Sequence, residues 1–471
     1  MSHESLRMMA ALNQSRLETS MPARRRLMTL LAALALTLSG WAAQAQSIIR
    51  DAEIERGLQE LAAPILRAAG LPTSTRIIVV NDRSLNAFVA DARHIFIHSG
   101  LLLRMQDPAE LQAVLAHEAA HIANGHLTRR PAAARSAGSA ARMGLLLALA
   151  AGAASGNSEV GAGLAIGSTS AAARRFFAHT RAEEASADQA GMRYMVQSGI
   201  DPAAMLTVLD IFRGQEALSV GRQDPYIRTH PLTRDRIRTV EAFVNGRSGA
   251  AAGAESNAEA RYWFARITGK LGGFLNAPRQ TLRQVGRNDQ GEIATLRRAI
   301  AYHQSTDASR AISEVGRLLQ MRPNDPYYQE LQGQILFESR NFGAAVQAYA
   351  RAVQLAPREP LILAGYGRAL LAADTRSGNA QALDVLGRAY SRDPFDPRML
   401  RDLALAYARS GNNGMASTVT AERYAVLGRM EDAEIHATRA SGLLPTGSGG
   451  WLRAQDVLRV AEAAQNRRNR R

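Results

Sequence analysis

A period of 34 residues in the last third of this 471-residue chain constrains its fold more than any other feature. Pro323 and Pro357 are 34 positions apart, as are Gly333 and Gly367, and Pro394 follows Pro357 after 37 positions. Two helices and their turns fill a unit of about 30–40 residues, and a recurring proline closes each unit. The period therefore predicts pairs of helices that bury their apolar faces against one another.

Small residues support close packing within these units. Ala345, Tyr349 and Ala352 fall on one side of a predicted second helix. A helix–turn–helix period with a closing proline resembles the tetratricopeptide repeat, which implies an α-solenoid over residues 308–445. Such a solenoid has a concave surface, so we expect this part to bind protein partners rather than to catalyse a reaction.

The start of the chain has the pattern of an exported protein. Arginines at 24–26 precede an apolar stretch at 27–38, and a small–polar–small sequence ends at Ala45. This order predicts a signal peptide over residues 1–45, with Met21 as an alternative start and an uncleaved anchor as the alternative fate. The pattern is typical of bacteria, so we expect the mature chain in the periplasm.

Composition excludes several kinds of site and partner. The chain contains no cysteine, which excludes disulfides and thiolate metal ligands. Its formal net charge is +15, and such a charge can indicate nucleic acid or an anionic membrane. The positive charges are scattered, apart from arginines in a predicted basic tail at 446–471. We therefore expect no nucleic-acid partner and, at most, peripheral contact with a membrane.

Residues 47–245 combine helical and strand patterns. Apolar residues at helical spacing predict a helix over 47–70, and a β-branched run predicts a strand over 75–80. Short apolar runs at Phe88 and Ile95 predict two more strands. The expected fold is α+β but mostly α, with a small sheet.

Three further segments separate or connect the predicted domains. Residues 143–170 are rich in alanine, glycine and leucine, but their apolar run is shorter than the roughly 20 residues of a membrane helix. We expect a mobile flap, a buried helical hairpin or a membrane-surface segment. Residues 246–258 have the composition of a linker, and 259–307 should form helices that connect it to the repeats.

The sequence HEAAH, in which His117 and His121 are four positions apart, carries the chemistry. Asp107, followed by proline, is typical of a helix start, and this helix should reach about His126. Residues four apart share a helix face, so both imidazoles can bind one ion, and nitrogen ligands suit Zn²⁺. The neighbouring Glu118 can act as general base towards water and return the proton to the leaving amine.

A further ligand is predicted on a helix over residues 174–197. Glu184 and Asp188 are four apart and share a face. A carboxylate completes the two-histidine set of a catalytic zinc and leaves one position open. Asp188 then suits a hydrogen bond to a ligand imidazole. Glu183 competes for the ligand role, but it is rotated by about 100°, and a solvated acidic face is the alternative for all three carboxylates.

These motifs resemble the M48 zinc metallopeptidases. HEAAH, the segment RAEEASAD and the sequence Thr-His-Pro around His230, with Arg236, carry the resemblance over residues 47–240. It implies a zincin-like domain with one Zn²⁺ per chain, held by the three ligands named above, with Glu118 as base. The family's usual glycine before the second histidine is Ala120 here. With the repeats and the signal peptide, the chain resembles the periplasmic M48 proteases that act in β-barrel assembly.

The sequence leaves more than one role open for each of two histidines, His230 and His126. The following proline holds His230 extended, and its imidazole can donate to the oxyanion of the reaction or occupy the open position on zinc and silence the enzyme. A packing role is the third alternative. His126, which matches a histidine often seen in the family, is either a cap at the end of the helix or a functional residue.

Two functions fit these patterns. The first is an endopeptidase for unfolded or stalled outer-membrane proteins, in which the repeats bind clients and the assembly machinery. The second is a chaperone or scaffold for outer-membrane protein assembly with gated or minor proteolysis. Glu118 favours the first, because a structural zinc needs no adjacent base. An integral-membrane protease would need residues 143–170 to span the membrane, which their length opposes.

Overall fold

The computed structural model describes these parts of the chain: 47–126, 181–219, 222–246, 257–286 and 288–469. The predicted signal peptide and the segment 143–170 lie outside them, as does most of the predicted linker at 246–258. Within the described parts, no helix is both long enough and apolar enough to cross a membrane.

A four-stranded sheet begins the described chain. Its strands are β1 (Ser47–Ile49), β2 (Arg76–Asn81), β3 (Ala87–Asp91) and β4 (His94–His98), in the order β1-β2-β4-β3. β2 and β4 are parallel, and β1 and β3 run antiparallel to their neighbours. The strand order places β3 at one edge of the sheet. The strands predicted from the β-branched and apolar runs are confirmed.

The helix predicted over 47–70 starts later than expected. Residues Ser47–Ile49 pair with β2 as a strand. Asp51 is extended, and its side chain accepts a hydrogen bond of 2.9 Å from the backbone N–H three residues further on, so helix α1 spans Ala52–Ala68. The capping aspartate fixes the helix start, and the two isoleucines before it favour a strand.

Within the described residues, the sheet is followed by the helices α2 (Ser99–Arg104), α3 (Pro108–Ala123), α4 (Arg181–Gln197), α5 (Ala203–Ile211), α6 (Pro225–Thr229) and α7 (Arg234–Asn245). Asp107 caps α3 as predicted, accepting a hydrogen bond of 2.8 Å from the N–H of Ala109. α3 and α4 cross closely at Gly191, where a Cβ would lie 3.2 Å from the backbone of Ala116 and His117. α4 therefore lies directly on the part of α3 that carries HEAAH.

Helices form the rest of the described chain: α8 (Ala258–Leu275), α9 (Pro278–Val285), α10 (Glu292–Gln304), α11 (Ala308–Met321), α12 (Pro326–Glu338), α13 (Phe342–Leu355), α14 (Pro360–Ala373), α15 (Arg376–Tyr390), α16 (Pro397–Arg409), α17 (Asn413–Val426), α18 (Met430–Leu443) and α19 (Gly449–Asn469). From α10 onwards, consecutive helices pack against one another, which confirms the predicted α-solenoid. A Cβ on Gly333 would lie 2.7 Å from the ring of Tyr349. The recurring glycine thus lets the two helices of a pair touch.

The basic tail predicted at 446–471 is instead a helix over most of its length. Ala454, Val457 and Ala461 of α19 are buried, and the first two belong to an alanine-rich cluster with α17 and α18. Alanines bury little area each, so their spacing gave only a weak apolar period in the sequence.

Buried ion pairs connect helices on both sides of the predicted linker. Arg266 of α8 is almost fully buried, and its Nε lies 2.5 Å from Glu53 Oε1 in α1. Its Nη1 lies 2.5 Å from Oδ2 of Asp325, which caps α12. These ion pairs cross the predicted linker at 246–258, and the described residues from 47 to 469 belong to one compact unit.

Lys270 of α8 is the most deeply buried cation of this connection. Its Nζ lies 2.8 Å from Asp51 Oδ2, 3.1 Å from Glu53 Oε2 and 3.7 Å from Glu330 Oε2, the last in α12. The three carboxylates raise the pKa of the lysine above its ordinary value despite burial, which lowers it. One ammonium group therefore holds acidic side chains from α1 and α12 together.

Replacing Lys270 by methionine should lower the free energy of unfolding by about 3–5 kcal/mol, because buried carboxylates would lose their counter-charge. Arg317→Met, at a partly exposed arginine, is the control and should change little. Urea denaturation of the full chain measures both. An unchanged unfolding midpoint for Lys270→Met would mean that this cluster contributes nothing to stability.

Candidate metal centre

The predicted site residues come from three neighbouring parts of the fold. HEAAH lies in the C-terminal half of α3, Glu184 and Asp188 lie in the first half of α4, and His230 follows α6. All six side chains are buried, with at most 2% of each residue exposed: His117, Glu118, His121, Glu184, Asp188 and His230.

Four of these side chains converge on one point. One donor atom each from His117, His121, Glu184 and His230 lies within 4.8 Å of the others. The two Nε2 atoms of His117 and His121 are 3.0 Å apart, and Glu184 Oε1 lies 3.3 Å from Nε2 of His121 and 3.0 Å from Nδ1 of His230. Four ligands at about 2.0–2.1 Å from one zinc ion, at tetrahedral angles, would lie roughly 3.4 Å from one another.

The imidazole rings of His117 and His230 each donate a hydrogen bond on the side away from the donor group. The other ring nitrogen of each therefore directs its lone pair towards the group. Nδ1–H of His117 donates to Asp188 Oδ1 at 2.9 Å, and Nε2–H of His230 donates to the carbonyl oxygen of Ala87 in β3 at 3.2 Å. Nε2 of His117 and Nδ1 of His230, 3.4 Å apart, then both present lone pairs. Facing lone pairs beside a carboxylate repel one another unless a cation lies between them, so this donor set fits a metal ion.

The pKa values show the same demand for positive charge. Burial lowers the pKa of His117, but hydrogen bonds to Asp188 and Glu184 outweigh it and raise the value to about 10. Burial lowers the pKa of His121 to about 3. Burial opposes the charge of Glu184, yet His230 and the other two imidazoles hold its pKa well below the ordinary value. The donor group therefore favours a positive charge at the point where its atoms meet.

Glu118 lies beside the four donors and has different surroundings. It is fully buried, and neither carboxylate oxygen has a hydrogen-bond partner among the described residues. Nε2 of His230 lies 3.5 Å from its Oε1. Burial raises the pKa of this carboxyl. A buried carboxylate with open acceptor positions is suited to take up a proton.

Arg236 of α7 holds both acidic residues of α4. Its Nε and Nη2 lie 2.6 and 2.8 Å from the two oxygens of Asp188, and its Nη1 lies 2.7 Å from Glu184 Oε2. The sequence patterns assigned no role to this arginine, although it is part of the segment that carries the family resemblance. A bidentate pair fixes the carboxylate of Asp188, which in turn orients the ring of His117.

The structure also separates the two competing glutamates. Glu184 belongs to the four-donor group, whereas its half-buried neighbour Glu183 does not.

The ring of Tyr226 stacks on His230, with 4.6 Å between the ring centroids. This stacking and the bond to β3 hold His230 over the other donors.

Comparisons with known proteins agree with this arrangement. Residues 49–244 match peptidase family M48. A putative beta-barrel assembly-enhancing protease of Vibrio cholerae is 30% identical over 197 residues, which cover 41% of this chain and 39% of that protein. The beta-barrel assembly-enhancing protease of Escherichia coli is 24% identical over 396 residues, which cover 82% of this chain and 78% of that protein.

Among solved structures, a tetratricopeptide-repeat protein of Thermus thermophilus is similar over 36% of this chain and 99% of that one, with 19% identity and a TM-score of 0.25. The HEAAH helix, the buried donors and the family match lie within the same part of the chain. Residues 49–244, which match peptidase family M48, thus form the metallopeptidase part of this chain.

Proposed function

We propose that this chain is a zinc endopeptidase of the bacterial periplasm that degrades misfolded or stalled outer-membrane proteins. The convergence of two histidines and a glutamate next to the buried Glu118, whose carboxylate oxygens accept no hydrogen bond from the described residues, is the observation that carries the proposal. The signal-peptide pattern supports the compartment. The names of the relatives in Vibrio cholerae and Escherichia coli support a link to β-barrel assembly.

His117, His121 and Glu184 would hold one Zn²⁺, which supplies Lewis acidity towards the scissile carbonyl when it is bound. Asp188 orients His117 from behind, and Arg236 holds Asp188 and Glu184 in place. These three ligands are two nitrogens and one oxygen, the set of a catalytic rather than a structural zinc.

Glu118 carries out both proton transfers. Its carboxylate takes a proton from the attacking water while the water oxygen bonds to the carbonyl carbon. It then gives that proton to the amine nitrogen as the peptide C–N bond breaks. Burial raises the pKa of the carboxyl towards the working pH, so the group can accept and release the proton in one cycle. Typical general acid–base groups contribute about 10²–10⁴-fold to the rate.

Residues 47–245 are the catalytic domain in this proposal, and the repeats at 308–445 bind clients and the assembly machinery. The segment 246–258 connects the two, followed by the helices within 259–307. The ion pairs of Arg266 and Lys270 support a repeat array that is fixed relative to the peptidase. A client held by the repeats is then presented to the active site from a constant direction.

His230 acts as a removable fourth ligand in this proposal. Its Nδ1 is directed at the other donors, while its Nε2–H is bound to the carbonyl of Ala87. This orientation supports the blocking role over the oxyanion role, which would need an N–H directed into the site. A four-ligand site has no open position for the substrate, so the enzyme is closed until His230 moves.

Replacing His230 by alanine should therefore raise proteolysis, by about 5- to 150-fold if closure has a typical coupling free energy of 1–3 kcal/mol. The assay is cleavage of an unfolded outer-membrane β-barrel protein by the zinc-loaded full chain, with a chelator to abolish it. His94→Ala, in β4 and outside the donor group, should behave like the unchanged protein. A fall of about 10²–10³-fold would instead assign the oxyanion role, and no change would mean that His230 only packs.

A further inference from the structure

Helix α3 ends in a backbone turn around a glycine. Gly125 has a φ of +65°, and its N–H bonds to the carbonyl of Ile122 at 3.0 Å. The N–H of His126 bonds to the carbonyl of His121 at 3.1 Å. These two bonds, with a left-handed glycine between them, define a Schellman motif.

The motif places the residue after the glycine against the third residue from the helix end. Here both residues are histidines. Nδ1 of His126 lies 2.9 Å from Nδ1 of His121, and the ring centroids are 5.0 Å apart. His126 is buried, with 3% of its surface exposed, so this contact is shielded from water.

The position of His121 determines which nitrogen carries the hydrogen in this contact. Its Nε2 faces Nε2 of His117 at 3.0 Å and Oε1 of Glu184 at 3.3 Å. A neutral imidazole has one N–H, so a lone pair on Nε2 requires the hydrogen on Nδ1. Nδ1–H of His121 must then donate, and Nδ1 of His126 must accept.

We propose that His126 is a positioning residue that fixes the tautomer and ring orientation of His121 and so strengthens zinc binding. The inference rests on the proposed function, because it takes His121 as a ligand. Each of the two histidine ligands then donates a hydrogen bond from its Nδ1–H. His117 donates to the carboxylate of Asp188, and His121 donates to the imidazole of His126. Partners of this kind are typically worth about 10- to 100-fold in metal affinity.

A matched pair of substitutions isolates the hydrogen bond. Leucine and asparagine have the same branching, but only asparagine offers an acceptor close to the position of Nδ1. The dissociation constant for Zn²⁺ is measured on the full chain by competition with a chelator. His126→Leu should weaken binding by about 10- to 100-fold, and His126→Asn should bind close to the unchanged protein. Thermal unfolding of the metal-free variants reports any loss of packing, and His126→Ala replaces the leucine variant if that one fails to fold.

The outcomes separate this inference from the proposal on which it rests. If the unchanged protein binds no zinc, or if His117→Ala binds it normally, the proposed site is wrong. If the unchanged protein binds zinc through His117 but His126→Leu binds it equally well, only the role of His126 is wrong. Equal weakening in His126→Leu and His126→Asn would also contradict that role, because the acceptor would then make no difference.

Discussion

Replacing Glu118 by glutamine should reduce proteolysis by about 10²–10⁴-fold, the contribution of a typical general base, while the fold and the zinc content stay unchanged. The amide keeps the shape of the side chain but cannot take a proton from water. Neither oxygen of Glu118 has a hydrogen-bond partner among the described residues, so the substitution removes no hydrogen bond within them. The initial rate of cleavage of an unfolded protein by purified, zinc-loaded variant measures the effect.

Glu110→Gln provides the matched control on the same helix. Glu110 is also buried, but its Oε2 accepts a hydrogen bond of 2.7 Å from the N–H of Gln106, which an amide oxygen can equally accept. This variant should keep its activity. Near-normal cleavage by pure Glu118→Gln would contradict the role of this residue as the base.

Local rules predicted the elements that hold the site. Asp107 and the proline after it marked the start of α3, and the spacing of His117 and His121 placed both rings on one face of that helix. These features depend on neighbours within one or two turns. The same holds for the glycine and proline registers of the repeats, because each helix pair contacts mainly the next pair.

Other features depend on contacts that are distant in sequence. Arg266 and Glu53 are 213 residues apart, and nothing in either helix indicates that two charged faces will meet in the interior. A charged residue on an amphipathic helix is ordinarily solvated. The connection between the peptidase and the repeats therefore became visible only in the structure.

Two helix ends carry local signals in the sequence. Asp51 before an apolar helical period is an N-cap signal, and it indicates that the helix starts at Ala52. Gly125 followed by His126 is the signature of a Schellman ending, which brings the later residue back onto His121. Both capping rules would have improved the prediction.

The loss of His117 should have the largest effect on metal binding. His117→Ala removes a nitrogen donor to the metal. It also removes the hydrogen bond from His117 to Asp188, while the hydrogen bond from Arg236 to Asp188 stays. We expect the variant to lose zinc and, with it, all proteolysis. His94→Ala is the control, since His94 pairs with Asp91 in the sheet and lies outside the donor group.

The zinc content of the purified full chain, measured by elemental analysis beside that of His117→Ala, tests the metal centre most directly. We predict one Zn²⁺ per chain in the unchanged protein and in His94→Ala, and none above background in His117→Ala. Stoichiometric zinc in His117→Ala, or its absence from the unchanged protein after incubation with Zn²⁺, would contradict the proposed site.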